Sequence, residues 1–261
     1  MKIDRIVTSI NENPDYVSFA QSTCWIWHKL GYAVTLNIVG NHTVDVGDTA
    51  EVINWDNLPS VESNKQSQFI RMYNASTYGD ENCMIADIDM IPLSDAPLLA
   101  YNKVPEDHLA QFGYEHPAFQ VYPDVGKWPM HGTAAKGNTF KEIINPHNKS
   151  LEQLAFEWNI SMLDHRARPM ANGYFCDESL IKCLLDKWVG KTNRVSRIRR
   201  EQAGDFKQHE DGGYTVYGRI DKEKWDTIEG ENLRDYFEIH GPRPFTKEWY
   251  GTVIDFIGEN K

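Results

Sequence analysis

The chain is most informative at first for what it does not contain. No apolar run approaches the 18 or so residues that a membrane-spanning helix needs. The four cysteines, Cys24, Cys83, Cys176 and Cys183, lie far apart and form no Cys-x-x-Cys pair. That spacing argues against a zinc site or a disulfide framework and leads us to expect buried free thiols. Neither His-Glu-x-x-His nor Gly-x-Ser-x-Gly occurs, so zinc-hydrolase and serine-hydrolase chemistry lacks its motifs. Low-complexity tracts, fixed-period repeats and a Ser/Gly/Pro-rich linker are missing as well. Basic residues are scarce: 27 Lys and Arg stand against 38 Asp and Glu, for a net charge of -11. Such a balance excludes DNA or RNA as a partner held by phosphate neutralisation. The local exception is Arg194 to Arg200, with four arginines in seven positions. It reads as a solvated face or strand edge; the alternative is an anchor for an anionic acceptor or a membrane surface.

What is present suits one large core. The 261 residues are 41% hydrophobic, enough for a single α/β domain over 1–261. Ile3 to Ile10 has the pattern of a buried strand. Pro14 opens a helical stretch with Val17, Phe19, Ala20, Cys24, Trp27 and Leu30 on one apolar stripe, ended by Gly31. Tyr32 to Val39 is a second strand, and the crossover is long enough to make the pair parallel. Ala50 to Trp55 is a short strand, Asn64 to Tyr78 a helix with Gly79 as its cap, and Asn82 to Ala86 a very apolar strand. Further on, Asn138 to Ile144, Leu151 to Leu163, Asp177 to Trp188 and Thr246 to Ile257 read as helices. Between Arg194 and Ile239 short strands and turns are expected.

The apolar strand ends in Asp87-Ile88-Asp89. On an extended chain, acids at alternate positions point to the same side. Two carboxylates forced together repel, and a shared cation relieves that. Oxygen ligands suit Mn²⁺ or Mg²⁺, and ligands of open α/β sheets bind beyond the carboxyl ends of the strands. The bland alternative is a pair of exposed acids on a turn. A second signal is Phe237-Glu238-Ile239-His240-Gly241-Pro242-Arg243-Pro244-Phe245. Imidazole is a good third ligand for Mn²⁺, glycine allows close backbone approach, and arginine pairs with phosphate. His131, in Met130-His131-Gly132, competes with His240 for the ligand role.

The helix carrying Lys65 and Arg71, followed by a strand ending in Asp-x-Asp, resembles glycosyltransferases of the GT-A fold. The C-terminal histidine segment is similar to theirs too, although it departs from the His-x-x-Gly-x-x-Lys-Pro spacing of glycogenin-like enzymes. The resemblance implies a Rossmann-like α/β fold with a mixed sheet flanked by helices. Residues 1–95 would be the nucleotide-binding half, and 96–261 the acceptor and sugar half. It implies metal ligands Asp87, Asp89 and His240, holding Mn²⁺ or Mg²⁺. It implies donor contacts at Thr8, Ser9, Asn11, Trp55, Lys65, Arg71, Asp87, Ile88, Gly241 and Arg243, with Asp56 beside Trp55. Gly132 to Gly137 would lie beneath the donor sugar. Asp177 and Glu178 would be the catalytic acids near the reacting carbon; the alternative is that they merely favour a helix N-terminus. Trp128, Trp158, Trp188 and Tyr174 are available to stack on sugars.

The expected reaction moves a sugar from a nucleotide-diphosphate sugar, with UDP the default, to a glycan or other hydroxyl acceptor. The expected setting is cytoplasmic, bacterial or viral rather than Golgi. Competing functions are a sugar nucleotidyltransferase and a non-catalytic carbohydrate-binding protein. The first usually carries a Gly-rich loop after strand one, whereas Thr8 to Pro14 has no glycine. The second has no use for a chelating acid pair.

Overall fold

The computed structural model describes residues 1–59, 61–112, 128–157, 176–198, 219–220, 237–241, 243, 245, 251, 253 and 255. Four strands near the N-terminus run parallel: β1 (Arg5–Ile10), β2 (Ala33–Val39), β3 (Glu51–Trp55) and β4 (Asn82–Ile85). Crossovers link them through α1 (Pro14–Val17) and α2 (Ala20–Lys29), then through α3 (Ser63–Ala75). Neighbouring residues of β1 feed opposite faces. Ile6 joins a core with Phe19, Ile26 and Leu36 from the α2 side, and Val7 one with Phe69, Ile70 and Ile85 from the α3 side. Burial on both faces explains why this sheet reads as near-continuous apolar runs.

The expected single helix from Pro14 to Leu30 is two helices. Asn13 caps the first by accepting from the Asp15 N–H, and Pro14 sits where a missing N–H does no harm. The break follows at Ser18 and Phe19. There the Phe19 N–H donates to Tyr16 O at 3.1 Å, and the ring is fully buried, stacked 4.9 Å from Phe245. The third helix ends at Ala75 rather than Tyr78. Gly79 lies in the turn beyond it, with a φ of +58°.

The rest of the chain extends the same sheet. β6 (Leu109–Phe112), β7 (Ala134–Lys136) and β8 (Val195–Ile198) complete seven strands in the order β3-β2-β1-β4-β7-β6-β8. β7 runs antiparallel to β4, so the sheet is mixed. A second sheet joins β5 (Met90–Pro92), β10 (Glu238–His240) and β9 (Arg219–Ile220). β10 runs antiparallel to β5, with His240 opposite Met90. That pairing carries a segment 150 residues away in sequence to the end of β4. Helices α4 (Gly137–Ile144), α5 (Leu151–Glu157) and α6 (Cys176–Thr192) follow the expected positions. Residues 158–163 of the helix expected from Leu151 to Leu163 lie outside the described residues. Of the expected C-terminal helix, Gly251, Val253 and Asp255 are described, all helical.

Arg194 donates to Glu142 at 2.5 Å and lies over the Trp188 ring, and β8 forms the sheet edge, so this part of the basic run is an edge feature. Arg199 and Arg200 lie outside the described residues. Cys24 and Cys83 are the buried free thiols expected, and burial pushes both thiols up to about 12. Cys183 corrects that expectation: it is free but exposed on α6. The Cys176 side chain is outside the described residues. Among the described residues no helix is long and apolar enough to cross a membrane.

Candidate functional site

A cavity of about 440 Å³ opens beyond the carboxyl ends of β1 and β4. Its floor is the turn that leaves β4. The Met90 N–H donates to Asp87 O at 3.2 Å, so Asp87-Ile88-Asp89 is a turn and not extended chain. The alternation that placed both acids on one side of a strand therefore does not operate here. Packing from both layers shapes the turn instead. From α3, buried Arg71 donates to Ala86 O at 3.1 Å and pairs with the Asp87 carboxylate. From α2, Thr23 Oγ1 donates to Ile88 O at 2.8 Å.

Asp89 is 4% exposed. His240 Nε2 lies 3.2 Å from its Oδ2, and Arg243 donates to the same oxygen from Nε at 3.0 Å and from Nη2. Burial works to raise the Asp89 carboxyl. The hydrogen bond and charge of His240, together with Arg243, outweigh it and hold the group well below the usual carboxylate range. Backbone pairing fixes this corner, because the Gly241 N–H donates to Asp89 O at 2.8 Å. The Arg243 guanidinium also sits 4.5 Å over the Tyr16 ring.

Of the residues singled out in the sequence, Ser9, Asn11, Arg71, Asp87, Ile88, Asp89, His240 and Arg243 line this one cavity. Five others, Thr8, Trp55, Asp56, Lys65 and Gly241, do not line it. Thr8 is fully buried beneath the cavity wall. Trp55 donates its indole N–H to Asn37 at 2.9 Å and packs edge-on against Tyr73, which braces β2 and β3 beside the cavity. Asp56 gives its carbonyl to Gln66 at 2.8 Å. Lys65 is buried and pairs with Glu62 at 3.6 Å, off the cavity, because its helix turns the other face inward. Gly241 is needed for packing: a Cβ there would stand 2.3 Å from Phe19 Cε1. Phe19 is locked by Phe245 and cannot yield. Gly241→Ala should therefore cost about 2–3 kcal/mol by overpacking, read as a lower midpoint in urea unfolding.

Asp177 and Glu178 stand in the first turn of α6, and their side chains lie outside the described residues, as do Trp158 and Tyr174. Trp128 and Trp188 are buried, so neither offers a stacking face. The strand expected beneath the donor sugar is β7. Asn64, Ser67 and Gln68 also line the cavity, alongside Arg71. These positions repeat as i, i+3, i+4 and i+7, a polar stripe on one face of α3 that the sequence displays and that helical periodicity alone would have found. Tyr16 and Met130 reach the cavity with no comparable signal.

Two carboxylates and an imidazole along one cavity form a donor set that suits Mn²⁺ or Mg²⁺ in kind. Asp89 and His240 already converge, while Asp87 is held by Arg71. Among the described residues, no three such side chains close on a single point.

No protein-family model and no curated protein sequence matches the chain. Solved structures do. The galactosyltransferase LgtC, in complex with donor and acceptor sugar analogs, superposes with a TM-score of 0.53 at 9% identity, over 98% of this chain and 95% of that one. The glycosyltransferase GlyE of Streptococcus pneumoniae TIGR4 gives 0.50 at 8% identity, over 98% of this chain and 61% of that one. At such identity the likeness is one of architecture. A parallel β3-β2-β1-β4 unit and a mixed extension through β7, with a cavity past the end of β4, give this chain the fold of those structures, the GT-A fold.

Proposed function

We propose that the protein is a glycosyltransferase that takes a sugar from a nucleotide-diphosphate sugar, by default a UDP-sugar, and passes it to a hydroxyl of a glycan or glycoconjugate. The observation that carries this reading is the convergence of Asp87, Asp89, His240, Arg71 and Arg243 in one cavity beyond the strand ends. Departure of a diphosphate concentrates negative charge, and a site for it must offer fixed positive groups. Arg71 and Arg243 are such groups, each held in place by an acid and by backbone or ring contacts. Their planar forks suit phosphate oxygens. A divalent cation held by Asp87, Asp89 and His240 would add neutralisation of the leaving diphosphate. The polar wall of Ser9, Asn11 and Asn64 is suited to the nucleoside. Asp177 or Glu178 is the base if the reaction inverts the anomeric centre; otherwise they position the sugar.

A second reading has its own observation. Both acids of the turn already pair with arginines. A site that relies on Arg71 and Arg243 alone would work without metal.

Thermal stabilisation by UDP and by GDP, each with and without Mn²⁺, separates these readings. A ligand at 100 times its dissociation constant adds about 2.7 kcal/mol to the folded state. Stabilisation that needs nucleotide and Mn²⁺ together supports the metal-dependent transferase. Stabilisation by nucleotide that is indifferent to EDTA selects the arginine-only site. No shift with either nucleotide sinks both.

A further inference from the structure

His131 competed with His240 as a metal ligand, and the structure gives it different work. It sits in the segment that leads into β7, aimed by a tightly braced turn. The Gly132 N–H donates to Ile85 O at 2.8 Å, and the Ile85 N–H donates to Thr133 O at 2.8 Å. Gly132 has a φ of +78°, and a Cβ there would meet Phe112 Cβ at 2.7 Å, so no other residue fits the bend. The Trp128 indole donates to Thr133 Oγ1 at 3.0 Å, and the Tyr101 hydroxyl donates to Gly132 O.

Both ring nitrogens of His131 are engaged. The Asp87 N–H donates to Nδ1 at 3.2 Å. A backbone N–H can only donate, so Nδ1 accepts and the ring proton is on Nε2. That nitrogen lies 3.0 Å from Oε2 of Glu238, a residue 5% exposed. Glu238 belongs to β10, two residues before His240, and β10 is registered on β5, which begins right after Asp89. The His131–Glu238 pair therefore ties the backbone of one acid to the strand that bears the imidazole. It does so from behind, since neither residue lines the cavity.

We propose that His131 and Glu238 are positioning residues that fix the spacing between Asp87 and His240 and so set the divalent-cation affinity of the site. This rests on the metal-dependent form of the proposed function. Partners of this kind, which orient a ligand without touching the ion, alter metal affinity by about 10- to 100-fold when removed.

The test is Mn²⁺ binding by electron paramagnetic resonance, with and without UDP, alongside melting temperatures. The variants are His131→Phe, Glu238→Leu and Glu238→Gln. Arg5→Ala serves as a stability control, because Arg5 donates to Glu81 at 2.7 Å and Thr35 at 2.9 Å at the opposite end of the sheet. His131→Phe and Glu238→Leu should weaken Mn²⁺ binding about 10-fold or more. Glu238→Gln keeps an acceptor for Nε2–H and should stay within about threefold. Arg5→Ala should melt earlier yet bind Mn²⁺ as the wild type does. Wild-type affinity in His131→Phe and Glu238→Leu overturns the inference while leaving the metal site standing. Equal losses in Glu238→Gln and Glu238→Leu also overturn it, because the hydrogen bond would then not be the operative contact. Absence of Mn²⁺ binding in the wild type itself removes the metal-dependent reading and this inference with it.

Discussion

Asp89→Asn should lower kcat/KM by about 100- to 1,000-fold, the scale on which removing one charge-stabilising element slows a reaction that develops negative charge. Asparagine keeps the volume of the side chain and an acceptor for Arg243, so gross unfolding is not expected. What disappears is the charge that His240 and Arg243 converge on. Stability should fall by about 2 kcal/mol, below the 3–5 kcal/mol of a fully buried broken pair, because Arg243 retains some solvent contact. The pH dependence follows from the direction of the Asp89 shift. Its carboxyl is depressed in the folded state. Its contribution is therefore present above the unfolded carboxylate value of about 3.9 and is lost as pH falls towards the folded value. The stability gap between wild type and Asp89→Asn should be widest above about pH 4 and narrow below it. Urea midpoints at a series of pH values measure that gap, and a gap that widens with acid contradicts the assignment.

Arg71→Leu carries the second large effect, and it acts on stability as well as binding. Arg71 is 6% exposed and holds Ala86 O, Gln68 O and the Asp87 carboxylate at once. Leucine fills part of the space but satisfies none of these acceptors. The expected cost is about 2–3 kcal/mol, from carbonyl and carboxylate groups stripped of their donor. For a chain of this size that lowers the melting temperature by about 5–10 °C. Nucleotide stabilisation should disappear with it, because the freed Asp87 turns a cationic wall into an anionic one. Arg71→Lys should recover part of the stability but little of the binding, since an ammonium cannot span a carbonyl and a carboxylate with one planar fork. Melting curves with and without UDP and Mn²⁺ decide it. Recovery of full nucleotide stabilisation in the lysine variant means that charge alone matters at this position.

The outcomes for individual residues divide by the range of the forces that place them. β1, β2, β4 and α3 were legible because each is specified within its own segment: a strand buried on both faces has to be apolar throughout. Cavity residues at the strand ends, Ser9, Asn11 and the two acids, follow directly from those strands. Trp55, Lys65 and Gly241, donor contacts that the resemblance implies, do not line the cavity. Their neighbours Asn37, Glu62 and Phe19 decide their roles, and nothing local encodes a neighbour. The polar stripe of α3 was legible in principle, since a helix that packs on a sheet with one face has to present the rest elsewhere.

The sequence by itself determined a parallel α/β unit, with acids at the end of its most apolar strand, since hydrophobic period and chain connectivity suffice for that. Only the tertiary structure decided which groups those acids meet. Asp87 meets Arg71 across 16 positions, and Asp89 meets His240 across 151. It likewise separated the two histidines, giving His240 to the cavity and His131 to the backbone behind it. The physical reason is that the turn after β4 takes its shape from hydrogen bonds supplied by α2, α3, β10 and the approach to β7. Each of those bonds exists only once distant segments have packed.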